Sequence, residues 1–190
     1  MKKKKTEGRY EIRLSGSGGQ GLVLAGVMLA EAVGVYEGKN VTQTQSYGPE
    51  ARGGTSRSDL VISDSEIYYP KPSSLDLLLS LTQDACNRYY PHLKDDGILI
   101  VDSDIVRQIP PVSNVYAFPF THTAKEKIGT TLVANVMSAA SIVIISGICK
   151  TDSFLKAVLS RAPRGTESKN ETACKIGFEM SRKALKKAKG

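Results

Sequence analysis

The sequence predicts a single three-layer α/β/α domain with a mostly parallel central sheet, spanning residues 1–190 with basic tails at 1–5 and 181–190. Three observations carry that prediction. Two nearly continuous apolar runs, Leu75–Leu81 and Gly97–Asp102, have the character of strands covered on both faces. Strand-like runs alternate with helical patterns along most of the chain. A glycine-rich corner, Gly16-Ser17-Gly18-Gly19-Gln20-Gly21, joins a strand-like run to an apolar helical one.

In chain order, residues 10–15 read as a strand and 22–35 as a helix, with the glycine corner between them. Glycine suits that corner because a residue without Cβ turns sharply, accepts positive φ and lets another surface approach the backbone. The free N–H groups of the following helix make the corner attractive to an anion. Its spacing fits Gly-x-Gly-x-x-Gly, yet that dinucleotide fingerprint also asks for an acid at the end of the second strand. The second strand, 40–45, ends without one, and Glu37 lies earlier in a turn, so a nucleotide site and a purely structural turn both stay open. Residues 46–56 form a Gly- and Pro-rich loop that carries Tyr47, Glu50 and Arg52, more chemistry than a linker needs. A strand at 58–63 follows, then a turn into 66–69, with Tyr68 and Tyr69 as strand residues, ended by Pro70 and Pro72. After the strand at 75–81 a helix starts at Thr82. Lys94–Gly97 is read as a turn, and strands follow at 97–102 and 114–118. Ala124–Ile148 is the longest helical segment, N-capped by Thr123 and interrupted near Gly129, and two more helices cover 152–159 and 171–187.

Composition sets bounds on function. A chain of 190 residues, 41% hydrophobic and 24% charged, is an ordinary globular domain. The net charge of +7 comes from the ends: Lys2 to Lys5 and the five basic residues after Ser181 leave 17 basic against 19 acidic in the body. That distribution argues against nucleic-acid binding. Cys86, Cys149 and Cys174 are isolated, which argues against a metal or cluster site on this chain and for reduced thiols in the cytoplasm. No apolar stretch follows the N-terminal lysines as an export signal would require, and Leu132–Cys149, with Asn135 and three serines inside it, reads as a buried helix rather than a membrane span. His92 and His122 read as ordinary loop histidines.

Taken together, Gly-Ser-Gly-Gly-Gln-Gly at 16–21, Leu-Ala-Gly at 24–26, Ala-Glu-Ala at 30–32 and Ser-Tyr-Gly-Pro-Glu-Ala-Arg-Gly-Gly-Thr at 46–55 resemble the gamma subunit of 2-oxoacid:ferredoxin oxidoreductases. The resemblance continues through Ser-Asp-Leu-Val-Ile-Ser-Asp at 58–64, Gly-Ile-Leu-Ile-Val-Asp at 97–102 and Leu-Val-Ala-Asn-Val-Met at 132–137. The Val-Thr-Gln-Thr-Gln lead into the second loop looks most like the 2-oxoglutarate branch. The resemblance implies a complex that decarboxylates a 2-oxoacid on thiamine diphosphate and Mg, transfers the acyl group to coenzyme A and sends two electrons through iron–sulfur clusters to ferredoxin.

It also implies that the cofactors belong to partners, the alpha and beta subunits with a delta subunit as a further candidate. No catalytic residue or metal ligand is expected on this chain, which alone should be inert. The expected ligand or subunit surface comprises Gly16, Gly18, Gly19, Gln20 and Gly21 of the first loop, with Tyr47, Glu50, Arg52, Gly53, Gly54 and Thr55 of the second. Within it, Arg52 suits a coenzyme A phosphate or an acidic partner equally, and Gln20 either donates to a ligand or braces the turn. The alternative reading is a free-standing nucleotide-binding α/β protein using Gly16–Gly21, distinguishable by a nucleotide or flavin absorbing in the purified chain.

Overall fold

A computed structural model of the chain describes residues 8–47 and 55–188. Its strands are β1 (Arg9–Ser17), β2 (Asn40–Tyr47), β3 (Thr55–Ser63), β4 (Leu75–Ser80), β5 (Leu93–Asp102) and β6 (Asn114–Phe118). They form one sheet in the order β2-β3-β1-β4-β5-β6. β1, β4, β5 and β6 pair in parallel, whereas β3 runs antiparallel to both β1 and β2, so five strands point one way and β3 alone points back. The mostly parallel sheet therefore holds, with a reversal that strand identification alone did not contain. Only seven residues separate β2 from β3, and a parallel crossover needs a dozen or more.

The helices are α1 (Leu22–Glu31), continued by a π-helical turn over Ala32–Tyr36, α2 (Gln83–Tyr89), α3 (Phe120–Ile128), α4 (Ala134–Ser146), α5 (Thr151–Arg161) and α6 (Glu167–Lys187). Five of them share one side of the sheet, where Ile12, Leu14, Leu60, Leu77, Leu79 and Ile100 meet the buried faces of α1 and α4. The other side holds a smaller cluster, in which Leu78, Leu99 and Val101 pack against Ala85, Cys86 and Tyr89 of α2. The two covered faces explain the unbroken apolar runs of β4 and β5. α4 is buried over ten consecutive residues, Ala134–Val143, as the reading of that segment as a core helix requires.

Several local expectations are corrected. Lys94–Gly97 is not a turn but part of β5, where the register against β4 shifts and Lys94 Nζ is held 2.6 Å from Asp76 Oδ1. Tyr68 and Tyr69 are not strand residues; they lie exposed in a loop whose backbone is held by side chains. Arg9 donates to the carbonyls of Tyr69 and Lys71 at 2.6 and 2.7 Å, and Glu11 accepts from the N–H groups of Ser73 and Ser74 at 2.6 and 2.8 Å. The 124–148 segment is two helices. α3 starts at Phe120 behind Pro119, with Thr123 buried inside it rather than capping it, and ends where Gly129 takes φ +80°. Among the described residues the longest helix is α6 rather than the 124–148 segment, and it carries the basic residues 182–187 as the reading of a helix over 171–187 has them. His122 also lies on a helix, 3.2 Å from Glu126 one turn on.

Candidate functional site

The strand register brings the start of the first expected loop and the described ends of the second together. Gly16 stands opposite Ser56, which stands opposite Tyr47, so β1 and β2 end, and β3 begins, at one edge of the sheet. β4, β5 and β6 end at the same edge because they run parallel to β1. Ligands of open α/β sheets bind at such an edge. Glu50, Arg52, Gly53 and Gly54 lie outside the described residues. Gly16–Gly21, Tyr47 and Thr55 are all at this edge, Tyr47 being 65% exposed.

The glycines of the first loop differ in why they are glycine. Gly19 and Gly21 adopt φ +89° and +73°, where a side chain is strained. A Cβ on Gly21 would also collide with the amide of Asn135, and one on Gly16 with the side chain of Gln20. Gly18 has neither constraint: its φ is not positive, and a Cβ there would meet nothing within 4 Å. Gln20 braces the turn, its Oε1 accepting from Ser17 N–H at 2.8 Å. Behind the loop, α1 begins with no side-chain cap and no acid in its first turn, leaving the positive end of its dipole open.

Two concavities flank the loop and share Gly19. One, about 550 Å³, runs along the first turns of α1 between Val23, Val27, Tyr47, Ser56 and Arg161. The other, about 180 Å³, lies between Gln20, Leu81, Ile105, Thr121 and Asn135. Beside the second, at the end of β5, Asp102 accepts from Thr121 N–H and Oγ1 at 3.0 and 2.6 Å and from Asp104 N–H at 3.0 Å. Burial pushes its carboxyl above the ordinary range despite those donors.

Asn135 is the residue that sequence reasoning missed. Its Nδ2 donates to the Gly21 carbonyl at 3.0 Å and so fixes where α1 starts. The signal was present, since an asparagine inside an apolar helix must find a partner when buried. Of the two readings left open for the Gly corner, the dinucleotide geometry is not formed: β1 lies between β3 and β4, with the antiparallel β3 where that fold has its second strand, so no acid at the end of β2 could reach a ribose held there. The cysteines do not suit a cluster either. Cys86 lies on the α2 side of the sheet, whereas Cys149 and Cys174 belong to the core on the other side. Among the described residues no group of three or more His, Cys, Asp or Glu is placed to hold a metal ion, and no helix is long and apolar enough to cross a membrane.

Residues 11–180 match the family described as pyruvate ferredoxin/flavodoxin oxidoreductase. The chain belongs to that family. It is 43% identical to the 2-oxoglutarate synthase subunit KorC of Methanocaldococcus jannaschii, over 96% of this chain and 99% of that one. It is 29% identical to the pyruvate synthase subunit PorC of Methanothermobacter thermautotrophicus, over 89% and 94%. The solved gamma subunit of a keto/oxoacid ferredoxin oxidoreductase from Geobacter sulfurreducens superposes with a TM-score of 0.86 at 46% identity, over 93% of this chain and 98% of that one. A 2-oxoglutarate:ferredoxin oxidoreductase from Magnetococcus marinus, solved with 2-oxoglutarate, coenzyme A and succinyl-CoA bound, shares the fold at a TM-score of 0.81 and 15% identity, over 93% of this chain and 31% of that one. The chain is thus a gamma-type subunit of a 2-oxoacid:ferredoxin oxidoreductase, on the 2-oxoglutarate side of the family.

Proposed function

We propose that this chain, as a single gamma-type domain, completes a complex that oxidatively decarboxylates 2-oxoglutarate to its acyl-CoA and reduces ferredoxin. Thiamine diphosphate with Mg and the iron–sulfur clusters are held by alpha and beta partners, with a delta subunit as a further candidate, and they supply the carbon chemistry and the electron path. The observation that carries the reading is the 43% identity along nearly the whole chain to a 2-oxoglutarate synthase subunit, against 29% to a pyruvate synthase subunit.

The role assigned to this chain's own residues is to present the Gly16–Gly21 edge to the coenzyme A side of the partners' catalytic centre. The uncapped start of α1 favours a phosphate or carboxylate, and Gly18 leaves the backbone open to close approach. Tyr47 adds an exposed aromatic face, and Arg52, Gly53 and Gly54 of the second loop extend the same surface by their place in the sequence.

The test is purification of the complex and measurement of viologen reduction with 2-oxoglutarate, pyruvate and 2-oxoisovalerate, with and without coenzyme A. Reduction should be fastest with 2-oxoglutarate and should need coenzyme A, and the isolated chain should reduce nothing. Dye reduction by the pure chain, or a preference for pyruvate, would overturn the reading.

A further inference from the structure

Three arginines gather around one tyrosine on the α2 side of the sheet. Arg13 of β1 and Asp59 of β3 face each other in register and form a buried bidentate pair, with Nε–Oδ1 at 2.6 Å and Nη2–Oδ2 at 2.8 Å. That pair is self-sufficient. Arg57, two residues earlier on β3 and therefore on the same face, reaches Asp59 only at 3.6 Å. Its Nε is shielded from solvent and has no hydrogen-bond partner among the described residues. Arg88, at the end of α2, donates to Thr55 Oγ1 at 3.0 Å. The guanidinium carbons of Arg13, Arg57 and Arg88 lie 4.9, 5.7 and 5.7 Å from the centre of the Tyr89 ring. Stacking on an aromatic ring stabilises a cation but does not neutralise it, so among the described residues one carboxylate serves three guanidiniums. Arg57 keeps 35% of its side chain exposed, and that is the part an acceptor from another chain can meet.

The surplus charge borders an incompletely covered part of the sheet. Thr42, Thr44 and Ser46 alternate onto this same face, Thr44 opposite Asp59 and Ser46 opposite Arg57, and all three remain partly exposed. β2 is also the outermost strand, eight residues long with no charge and no proline, whereas exposed edges are normally guarded by such residues. An unguarded edge and a cationic face on the same two strands point to a covering polypeptide.

We propose that the β2–β3 end of this face docks an acidic segment of a catalytic partner subunit, with a partner carboxylate engaging Arg57 and Arg88. The inference rests on the subunit reading above and names the surface through which the subunit attaches. An extended strand pair with a row of hydroxyls suits a peptide, which bonds along its length, better than a small anion.

The test co-expresses the full chain with its tagged catalytic subunits and measures how much chain is retained as salt is raised. Arg57→Gln and Arg88→Gln should each weaken retention by on the order of ten-fold or more and flatten its salt dependence. Thr44→Glu, which leaves every arginine in place, should weaken it as well. The isolated variants should keep the wild-type helical spectrum. Wild-type retention of both Arg88→Gln and Thr44→Glu overturns the proposal. So does a result in which the arginine variants lose only the isolated chain's affinity for free coenzyme A, since that identifies a small-anion site. Non-additive melting shifts of Arg57→Gln and Glu50→Gln in the isolated chain would assign the missing acceptor to this chain and overturn it too. Failure of the wild-type chain to be retained would instead strike the subunit reading itself, and the proposal with it.

Discussion

Replacing Gly18, Gly19 and Gly21 by alanine one at a time is the same chemical change with three different expected costs. At Gly18 the backbone is already in a range alanine adopts, and the new methyl meets nothing within 4 Å. The stability change there should stay within about 0.5 kcal/mol. At Gly19, φ +89° imposes a left-handed strain of about 1–2 kcal/mol, part of which alanine's stiffer unfolded chain offsets. At Gly21 a similar strain applies at φ +73°, and the methyl also displaces the Asn135 amide from the Gly21 carbonyl. Loss of that buried hydrogen bond adds about 1–3 kcal/mol, for a total of about 2–5 kcal/mol. For a chain of this size each kcal/mol moves the midpoint by about 2–4 °C, so Gly21→Ala should melt roughly 4–20 °C below wild type while Gly18→Ala melts with it. Thermal and urea unfolding of the isolated chain read this directly. Gly18→Ala as unstable as Gly21→Ala would refute the assignment of a fold role to one glycine and an open surface to the other. In the assembled complex the order should invert, with Gly18→Ala lowering coenzyme A-dependent turnover while its fold is intact.

Two further outcomes follow from buried charge. Asp59→Asn leaves the Arg13 guanidinium buried without its counter-charge and should lower stability by about 3–5 kcal/mol, seen as a fall in the urea midpoint; a shift under about 1 kcal/mol would contradict the buried-pair geometry. Burial alone would raise the Glu11 carboxyl, but the Arg9 side chain and the Ser73 and Ser74 N–H groups hold it below its ordinary value of 4.5. A lowered folded pKa means the carboxylate's stabilisation is present above pH 4.5 and is lost as pH falls through the folded value. The melting-temperature gap between wild type and Glu11→Gln should therefore narrow as pH drops below 4.5, and a gap that widens would reverse the sign of the argument.

The strands were legible because their signals are local. The apolar runs of β4 and β5 need no knowledge of the rest of the chain, and all six strands fall close to where the sequence places them. What escaped depends on pairs distant in sequence. The direction of β3 is a property of two connections rather than of residues 55–63, although the seven residues before it already forbid a parallel crossover. The loop at 64–74 contains strand-like tyrosines, but its backbone is held by Arg9 and Glu11, some 60 residues earlier. Asn135 and Gly21 are 114 positions apart, and no window of sequence contains both.

The glycine corner shows how far a motif alone can lead. Gly-Ser-Gly-Gly-Gln-Gly reads as one unit with one purpose, yet its glycines meet different demands: positive φ at Gly19 and Gly21, crowding at Gly16, and no internal demand at Gly18. A residue that violates local propensity without relieving any strain or clash inside the molecule is where something outside the molecule is to be sought. The same reasoning applies to Arg57, which reaches Asp59 only at 3.6 Å and whose Nε the described residues leave unpaired. The two positions lie on different faces of one sheet edge. A subunit that meets a ligand at one and a partner at the other would need both, and neither would be explained by its own stability.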